Sequence, residues 1–424
     1  MDLQHLSADQ LNALEKQLSD ECQAFTAQSI QLDLTRGKPS SDQLALSDPL
    51  DGILDNNYLS ADGIDTRNYG GLDGLSQARQ LGADILGVSS NEVSAQGNSS
   101  LSLMFLVMLV AKEFGLRGPD TSWKHSEDLR FICPVPGYDR HFSICEQLGI
   151  EMIAAPMTAE GPDMDVVEAL VKSDPAIKGM WCVPKYANPT GVVYSDDTVE
   201  RIAQLGNIAG KHFCVFWDNA YAVHDLNGFK SLKNIMDCCR LAGTEDSVIQ
   251  FASTSKITHA SAGIAFIASS EANLAGFRKV LGTLSIGPDK VNQLRHMRFI
   301  PNYGALISHM EKHAALLKPR FDCVNQHLKA AFGDNDLGQW QPVEGGYFIS
   351  FDTRPGLAKT VVALAADVGV KLTPAGATFP YGKDPKDSNI RIAPSVPSLE
   401  QVDKAMEIFV LCVKLASVRQ AIRA

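Results

Sequence analysis

Short apolar runs alternate with amphipathic segments through the middle of the chain. The apolar runs lie at 129–133, 150–154, 179–183, 213–217, 248–251 and 264–268. The segments between them place apolar residues at helical spacing, as at 166–172, 198–209 and 232–239. Short buried strands that alternate with helices predict an α/β fold: a mostly parallel sheet with helices on both faces.

The two ends of the chain have a different pattern. Helical spacing covers residues 1–30 and about 290–331, strict alternation marks strands at 346–352 and 389–394, and a closing helix is predicted at 399–418. We therefore expect a smaller α+β domain built from both termini. The predicted boundaries are 1–60 with 310–424 for the small domain and 61–309 for the large domain.

Bulk composition narrows the function classes. The chain has 424 residues, which suits two packed domains, and 45% hydrophobic with 21% charged residues is ordinary for a globular protein. The net charge of −11 argues against nucleic acid or an anionic membrane as the main partner. No signal peptide is recognisable, and the longest apolar run, 101–111, is too short to span a bilayer.

The nine cysteines are scattered along the chain. None forms a CxxC pair, and no Cys/His cluster has zinc spacing, so no metal site is predicted. Several lie in apolar runs, where a free thiol behaves as a small hydrophobe. This usage predicts a reducing compartment, the cytoplasm.

Polar side chains follow four of the predicted strands. Tyr138, Asn188, the pair Asp218 and Tyr221, and Lys256 each stand just after an apolar run. Ligands of open α/β sheets bind beyond the carboxyl ends of the strands. We therefore expect these side chains to share one site.

Lys256 lies in a tight loop between two buried strands. In a desolvated pocket its ammonium form is disfavoured, and the amine becomes a usable nucleophile. Ser253 and Ser255, just before it, can donate hydrogen bonds to a phosphate. An amine beside a phosphate cup suggests pyridoxal phosphate held as a Schiff base, although S-T-S-K alone also fits a surface loop.

Two other loops carry candidate anion-binding groups. Arg36, Gly37 and Lys38 form a Gly/Pro loop with two cations, which is either a solvated loop or a lip that meets an anionic substrate. Ser99 and Ser100 follow a Gly-Asn turn at a predicted helix start. This turn is either an anion site or an ordinary helix cap.

Motifs in a fixed order extend over nearly the whole chain. They are N-Y-G-G-L-D-G-L at 68–75, P-G-Y at 136–138, N-P-T-G at 188–191, D-N-A-Y at 218–221, S-T-S-K at 253–256, E-G-G-Y-F at 344–348 and R-I-A at 391–393. Together they resemble the class I aminotransferases of the fold-type I pyridoxal-phosphate enzymes. The L-T-R-G-K-P-S and G-N-S-S segments resemble the subgroup Ic aspartate aminotransferases.

The resemblance implies a role for each matching residue. Lys256 would form the Schiff base and shuttle the substrate proton, Asp218 would pair with the pyridinium nitrogen, and Tyr221 would bond the phenolate oxygen together with Asn188. Arg391 would bind the substrate α-carboxylate, with Asn188 and Gly37 nearby. The remaining implied contacts are Tyr138 stacked on the ring, Ser99, Ser100, Ser253 and Ser255 on the phosphate, and Tyr69 reaching it from the partner subunit.

Two positions depart from the family pattern. Ile264 stands where an arginine usually binds the phosphate, so Thr258 or His259 is considered as a replacement. Leu281 stands near the position of the arginine that often binds a distal carboxylate. Arg36, Lys38 and Arg295 are the candidates for that carboxylate; Arg36 and Lys38 are assigned to the substrate.

The resemblance predicts a homodimeric, pyridoxal-phosphate-dependent aminotransferase. It would move an amino group between L-aspartate and 2-oxoglutarate by a ping-pong mechanism. Aromatic or aminoadipate-type substrates, or a β-eliminating lyase reaction, are the alternatives. A sensor of this fold with an added DNA-binding domain is disfavoured, since no basic winged-helix segment precedes residue 30.

Overall fold

A mixed eight-stranded sheet forms the centre of the molecule. The computed structural model describes residue 3, residues 5–126 and residues 128–423. In sheet order the strands are β2 (Val93–Ala95), β9 (Ala265–Ser269), β8 (Val248–Ser253), β7 (Cys214–Asp218), β6 (Ile177–Cys182), β3 (Arg130–Val135), β4 (Glu151–Thr158) and β5 (Gly161–Pro162). The five strands from β8 to β4 are parallel, and β9, β2 and β5 pair antiparallel at the edges. The predicted mostly parallel sheet is confirmed.

Helices cover both faces of this sheet. Helix α3 (Ser76–Leu86) precedes the first strand of the sheet, and the helices between its strands are α4 (Ser100–Glu113), α5 (Asp139–Gln147), α6 (Met164–Ser173), α7 (Asp196–Ala209) and α8 (Ile235–Ala242). The central strands β7 and β8 are buried along almost their whole length, with β7 reading Cys-Val-Phe-Trp-Asp. Uninterrupted burial is what a parallel strand needs when helices cover both its faces.

The rest of the chain supplies two small sheets and seven further α-helices among the described residues. The small sheets are β10 (Gly338–Trp340), β11 (Ile349–Thr353) and β13 (Asn389–Ile392), all antiparallel, and the parallel pair β1 (Leu32–Asp33) with β12 (Val370–Lys371). The helices are α1 (Ala8–Thr26), α2 (Ser41–Ala45), α9 (Glu271–Leu284), α10 (Lys290–Phe299), α11 (Tyr303–Phe332) and α12 (Ala358–Val368), with α13 (Leu399–Arg423) closing the chain.

The N-terminal and C-terminal segments pack on each other. Helix α1 lies against α12 and α13, and α11 lies against α13. The β1–β12 pair joins residue 32 to residue 370. The domain boundaries predicted above stay a prediction. Of the helix predicted over 1–30, positions 1, 2 and 4 lie outside the described residues.

Two of the differences between predicted and observed element bounds have a local cause in the sequence. The helix predicted over 290–331 is interrupted at 300–302, because Pro301 disfavours a helical Ile300 and the Asn302 side chain caps the next helix, accepting from the Ala305 N–H at 2.9 Å. The strand predicted from 346 begins at Ile349. Gly346 has a φ of +78°, which an extended strand does not contain.

No helix within the described ranges is long and apolar enough to cross a membrane. The nine cysteines carry no disulfide, and all are buried except the half-buried Cys323. The cytoplasmic location stays a prediction.

Candidate active site

The carboxyl ends of the central parallel strands line one cavity, here called the strand-end cavity. Lys256, Asp218, Tyr221 and Asn188 come from the ends of β8, β7 and β6 and the loops that follow. The full lining is Gly37, Ser100, Leu101, Met104, Tyr138, Val183, Asn188, Asp218, Ala220, Tyr221, Lys256 and Phe348. Parallel strands bring together, at one edge, residues that are far apart in sequence.

A second opening, here called the entrance cleft, adjoins this cavity. It is lined by Thr35, Arg36, Gly37, Lys38, Tyr138, Asp139, Arg140, Phe348, Thr373, Pro374 and Arg391. Gly37, Tyr138 and Phe348 line both spaces, so the cleft and the cavity are continuous. The cleft therefore leads from the cationic surface to Lys256.

Lys256 lies in the loop between β8 and β9, as the sequence predicts. Its Nζ stands 5.1 Å from the centre of the Tyr221 ring, over the ring face. Burial lowers the pKa of Lys256, and the negative charge of Asp218 opposes this shift. A lysine whose pKa is lowered by desolvation carries a larger fraction of neutral, nucleophilic amine near neutral pH.

Asp218 is the last residue of β7 and is almost fully buried. His141 Nε2 donates to Asp218 Oδ2 at 3.0 Å, and the His141 ring stacks on Trp181 with centroids 4.1 Å apart. The other carboxylate oxygen, Oδ1, is buried and has no hydrogen-bond partner among the described residues. A buried carboxylate oxygen left open in this way is prepared to accept a hydrogen bond from a bound group.

Arg391 enters the cleft from β13. Its guanidinium donates to Asp139 Oδ1 at 3.0 Å, to Asn188 Oδ1 at 3.4 Å and to Thr373 Oγ1 at 3.4 Å, and it lies 4.8 Å from the centre of the Phe348 ring. Its Nε is buried and has no partner among the described residues. The planar fork is held in place with one donor still free.

Gly37 is required by the close approach of its loop to Phe348. A Cβ atom at Gly37 would lie 2.5 Å from Phe348 Cζ, which is shorter than the non-bonded contacts that Cβ atoms make. Phe348 in turn lies against Arg391. The loop that carries Arg36 and Lys38 is thus fitted onto the ring that flanks the guanidinium.

The start of helix α4 faces the strand-end cavity through Ser100 and Leu101. Ser99 is the N-cap, and its Oγ accepts from the Ser102 N–H at 3.2 Å. The N–H groups of Ser100 and Leu101 precede the first intrahelical bond and are available to an anion. The turn thus combines both uses considered from the sequence, a cap and an anion-binding helix start.

Four of the residues predicted for the phosphate do not line the cavity. Ser99 is occupied as the cap, Ser253 ends β8, and Ser255 Oγ donates to the Asn98 carbonyl at 2.7 Å. Tyr69 is 79% exposed and does not reach the cavity of its own chain.

The position that replaces the usual phosphate-binding arginine is apolar and buried. Ile264 is fully buried, and its N–H donates to Thr254 Oγ1 at 2.8 Å. Thr258 is also fully buried and lies 2.8 Å from His296 Nε2, so it does not take over the arginine's function. Among the described residues, Lys256 is the one cation that lines the cavity. Neither His259 nor Arg295 lines the cavity or the cleft.

Sequence reasoning missed four residues of the site. His141 and Arg140 lie in the first turn of α5, directly after Tyr138, so that spacing was the available signal. Asp139, between them, pairs with Arg391. Phe348 belongs to the recognised E-G-G-Y-F motif, but its contact with Arg391 depends on the pairing of β11 with β13.

Comparison with known proteins agrees with this geometry. A sequence model of the family described as "Aspartate amino-transferase" matches residues 6–424. An aspartate aminotransferase from Corynebacterium glutamicum is 42% identical over 417 residues, covering 98% of this chain and 96% of the relative.

Solved structures agree as well. An aspartate transaminase structure from Corynebacterium glutamicum superposes with a TM-score of 0.95 at 42% identity, covering 99% of both chains. The α-aminoadipate aminotransferase LysN of Thermus thermophilus, at 18% identity and a TM-score of 0.75 over 92% of this chain and 95% of its own, shares the fold. The chain belongs to the aspartate amino-transferase family and is a class I aminotransferase of fold type I.

Proposed function

We propose that this aminotransferase uses pyridoxal 5'-phosphate to move an amino group between L-aspartate and 2-oxoglutarate in a ping-pong reaction. The observation that carries the proposal is the pairing, in one cavity, of a desolvated Lys256 with a buried Asp218 whose Oδ1 is unpaired among the described residues. The 42% identity to an aspartate aminotransferase supports the choice of aspartate.

The residues of the strand-end cavity fit this cofactor. Asp218 Oδ1 would accept a hydrogen bond from the ring nitrogen, Asn188 and Tyr221 would contact the phenolate oxygen, and Tyr138 would lie against the ring. The N–H groups at the start of α4 would bind the phosphate together with the Ser100 hydroxyl, while Ser99, Ser253 and Ser255, which do not line the cavity, would support the loops around it. When bound, the cofactor supplies an aldehyde that links to amines and a ring that withdraws electrons.

The protein's own groups would then manage charge and protons. Lys256 Nζ would remove the proton from the substrate Cα, because burial keeps part of the amine neutral. His141 would hold the Asp218 carboxylate in its orientation through the 3.0 Å bond, and Trp181 would hold His141. Asp218, His141 and Trp181 are buried, so this end of the cavity is shielded from water.

Arg391 would bind the substrate α-carboxylate. A carboxylate can take two parallel N–H bonds from a guanidinium, and the unpaired Nε supplies one of the required donors. Asp139 pairs with Arg391 in the present structure and would give up this contact when the substrate carboxylate arrives. Asn188 would remain beside both the substrate and the cofactor.

Cations of the entrance cleft would bind the distal carboxylate of a dicarboxylic substrate. Arg36 and Lys38 line the cleft that also contains Arg391, and Arg140 joins them from α5. All three are exposed, so their effect on a substrate anion would be a shared electrostatic attraction. Gly37 lets this loop approach Phe348 and so brings Arg36 and Lys38 towards the substrate.

An apolar face supports the proposed homodimer. Leu59, Ile64, Tyr69, Leu284 and Ile286 are large apolar side chains that are 44–79% exposed. A hydrogen bond links the two segments that carry these side chains. Lys290 Nζ donates to the Gly70 carbonyl at 2.6 Å. Exposed large apolar side chains on two adjoining loops are typical of a subunit interface. Tyr69 of one subunit would then reach the phosphate in the other.

A half-reaction screen tests the proposed function. Each amino acid is added to the purified holoenzyme, and conversion of the cofactor to its amino form is followed optically. Aspartate and glutamate should convert it fastest; faster conversion by aromatic amino acids or by aminoadipate would overturn the aspartate assignment. Release of ammonia from aspartate without stoichiometric glutamate from 2-oxoglutarate would identify a lyase instead.

The proposed homodimer is tested by measuring the mass of the protein in solution. Light scattering after size exclusion should give twice the chain mass, and Ile286→Asp with Tyr69→Ala should give monomers of low activity. A fully active monomer would rule out a contribution of Tyr69 across an interface.

A further inference from the structure

Three side chains with metal-ligating atoms meet on the surface where α11 packs against α13. Cys323 and His327 lie one turn apart on α11, and Asp403 lies on α13. Their thiol, imidazole and carboxylate atoms all lie within 4.8 Å of one another. None of the three lines the strand-end cavity or the entrance cleft. The cluster is therefore separate from the candidate active site.

The spacing of the three atoms is close to that of a tetrahedral site. Cys323 Sγ is 3.7 Å and His327 Nε2 is 2.7 Å from Asp403 Oδ1. Zinc bonds of about 2.0 Å to nitrogen and oxygen and about 2.3 Å to sulfur place neighbouring ligands about 3.3–3.6 Å apart. To bind zinc, the His327–Asp403 separation would open by about 0.6 Å, and the Cys323–His327 separation, which is at most 4.8 Å, would adjust to about 3.5 Å.

We propose that Cys323, His327 and Asp403 form a zinc-binding site that ties α11 to α13. Thiolate, imidazole and carboxylate together suit Zn²⁺, whereas Mg²⁺ and Ca²⁺ prefer oxygen ligands alone. Three protein ligands leave the fourth position to water. The proposal departs from the sequence-based prediction of no metal site, which rested on Cys/His spacing and did not include Asp403, since that residue is distant in sequence.

The ligand atoms are accessible to an ion from solvent. The side chains of His327 and Asp403 are 23% and 56% exposed, and Cys323 is the one cysteine of the described chain that is not buried. Burial and the nearby Asp403 charge raise the pKa of the Cys323 thiol to about 11. Zinc would bind the thiolate, so one proton leaves the thiol for each ion bound.

Metal titration of the full-length holoenzyme tests the site. Calorimetry with Zn²⁺ alone should give one ion per chain for the wild type. Co²⁺ should give the intense visible bands of a tetrahedral thiolate complex, at wavelengths longer than those the cofactor absorbs. Three variants should each lower the affinity for the metal: Cys323→Ser, His327→Gln and Asp403→Asn. The loss should exceed the roughly 10- to 100-fold that replacing an outer-shell partner of a metal ligand causes.

Matched controls distinguish zinc binding at the proposed site from non-specific binding and from changes in stability or activity. Cys238→Ser, which removes a thiol on α8, should bind Zn²⁺ like the wild type. In the absence of metal, the three ligand variants should keep wild-type aminotransferase activity and thermal midpoint. Zn²⁺ should raise the thermal midpoint of the wild type and of Cys238→Ser, but not that of the ligand variants.

The proposal is overturned if the wild type takes up no Zn²⁺, or if the same ion still binds with unchanged affinity when Cys323 or Asp403 is replaced. Either result would leave His327 and Asp403 as a hydrogen-bonded pair between two helices. Neither result depends on which amino acid the enzyme transaminates.

Discussion

The strand-end cavity and the entrance cleft are continuous but are built in opposite ways. Asp218, Asn188 and Tyr221 are 2–5% exposed and stand at or just after the ends of buried strands. Arg36, Lys38 and Arg140 of the cleft are exposed and lie on a loop or in the first turn of a helix. The difference indicates that the cavity is prepared for one chemistry, while the cleft is a cationic surface that can be varied for different substrates.

The cavity is further stiffened from behind by buried histidines. His309 Nε2 donates to the Ile257 carbonyl at 2.8 Å, and His313 lies 3.1 Å from His309 and 3.0 Å from the Gln43 amide. Their contacts hold the residue that follows Lys256. In the cleft, Arg391 donates to Asp139 and to Thr373, and Thr373 donates to the Thr35 carbonyl.

Removing the amine should have the largest effect on the cavity. Lys256→Ala should lower kcat by at least about 10³-fold, because both the covalent link and the proton transfer are lost. Steady-state turnover and the cofactor absorbance report this. Lys256→Arg is the matched control, since it keeps a cation without a usable nucleophile and should lose as much activity; turnover near the wild-type rate in either variant would refute the assignment.

Acidification should lower the free energy of unfolding through the buried histidines behind the cavity. Burial lowers the pKa of His313 to about 4 from an ordinary 6.5, and burial also lowers the pKa values of His309 and His296. Between pH 6.5 and 4 the unfolded chain binds protons that the folded chain does not, so stability falls as pH falls through this window. For His313 alone the loss approaches about 3 kcal/mol.

Denaturant midpoints measured from pH 7 to pH 4 check this. The midpoint should fall with pH in the wild type and fall less in His313→Gln. A profile that is identical in the two proteins would contradict the assignment to His313.

Loss of His141 should lower kcat by a smaller factor than loss of the Lys256 amine. His141→Asn removes the bond to Asp218 Oδ2, and a hydrogen bond to a charged group is worth roughly 1.5–3 kcal/mol, so kcat should fall about 10- to 100-fold. The pH midpoint of the cofactor absorbance should also shift, which a purely structural residue would not cause. His125→Asn, at an exposed histidine, should change neither quantity.

Neutralising a cleft cation should have the smallest effect. Arg140→Gln or Arg36→Gln should raise KM for aspartate and 2-oxoglutarate by roughly fivefold or less, because an exposed charge contributes about 1 kcal/mol at most. KM for alanine should not change, since alanine has no distal carboxylate. Lys124→Gln, at an exposed lysine away from the cleft, is the control; equal changes for aspartate and alanine would exclude a role in distal recognition.

Much of the cavity was predictable from the chain alone. Buried apolar runs define the parallel strands, and the side chains directly after them must gather at one edge of the sheet. Lys256, Asp218, Asn188 and Tyr221 therefore follow from strand order without any knowledge of packing. The same reasoning placed the start of α4 at a Gly-Asn-Ser-Ser turn, although Ser255 and Ser99 are engaged in other bonds.

Contacts between distant segments were decided only by the tertiary structure. The bond from His141 to Asp218 joins α5 to β7, the approach of Gly37 to Phe348 joins the N-terminal loop to the segment just before β11, and Asp403 of α13 meets Cys323 of α11. Local sequence periodicity reports which face of an element is buried, but not which element packs against it. Side-chain pairs of this kind depend on the packing of whole elements, and that packing is settled by the shape and volume of the complete core.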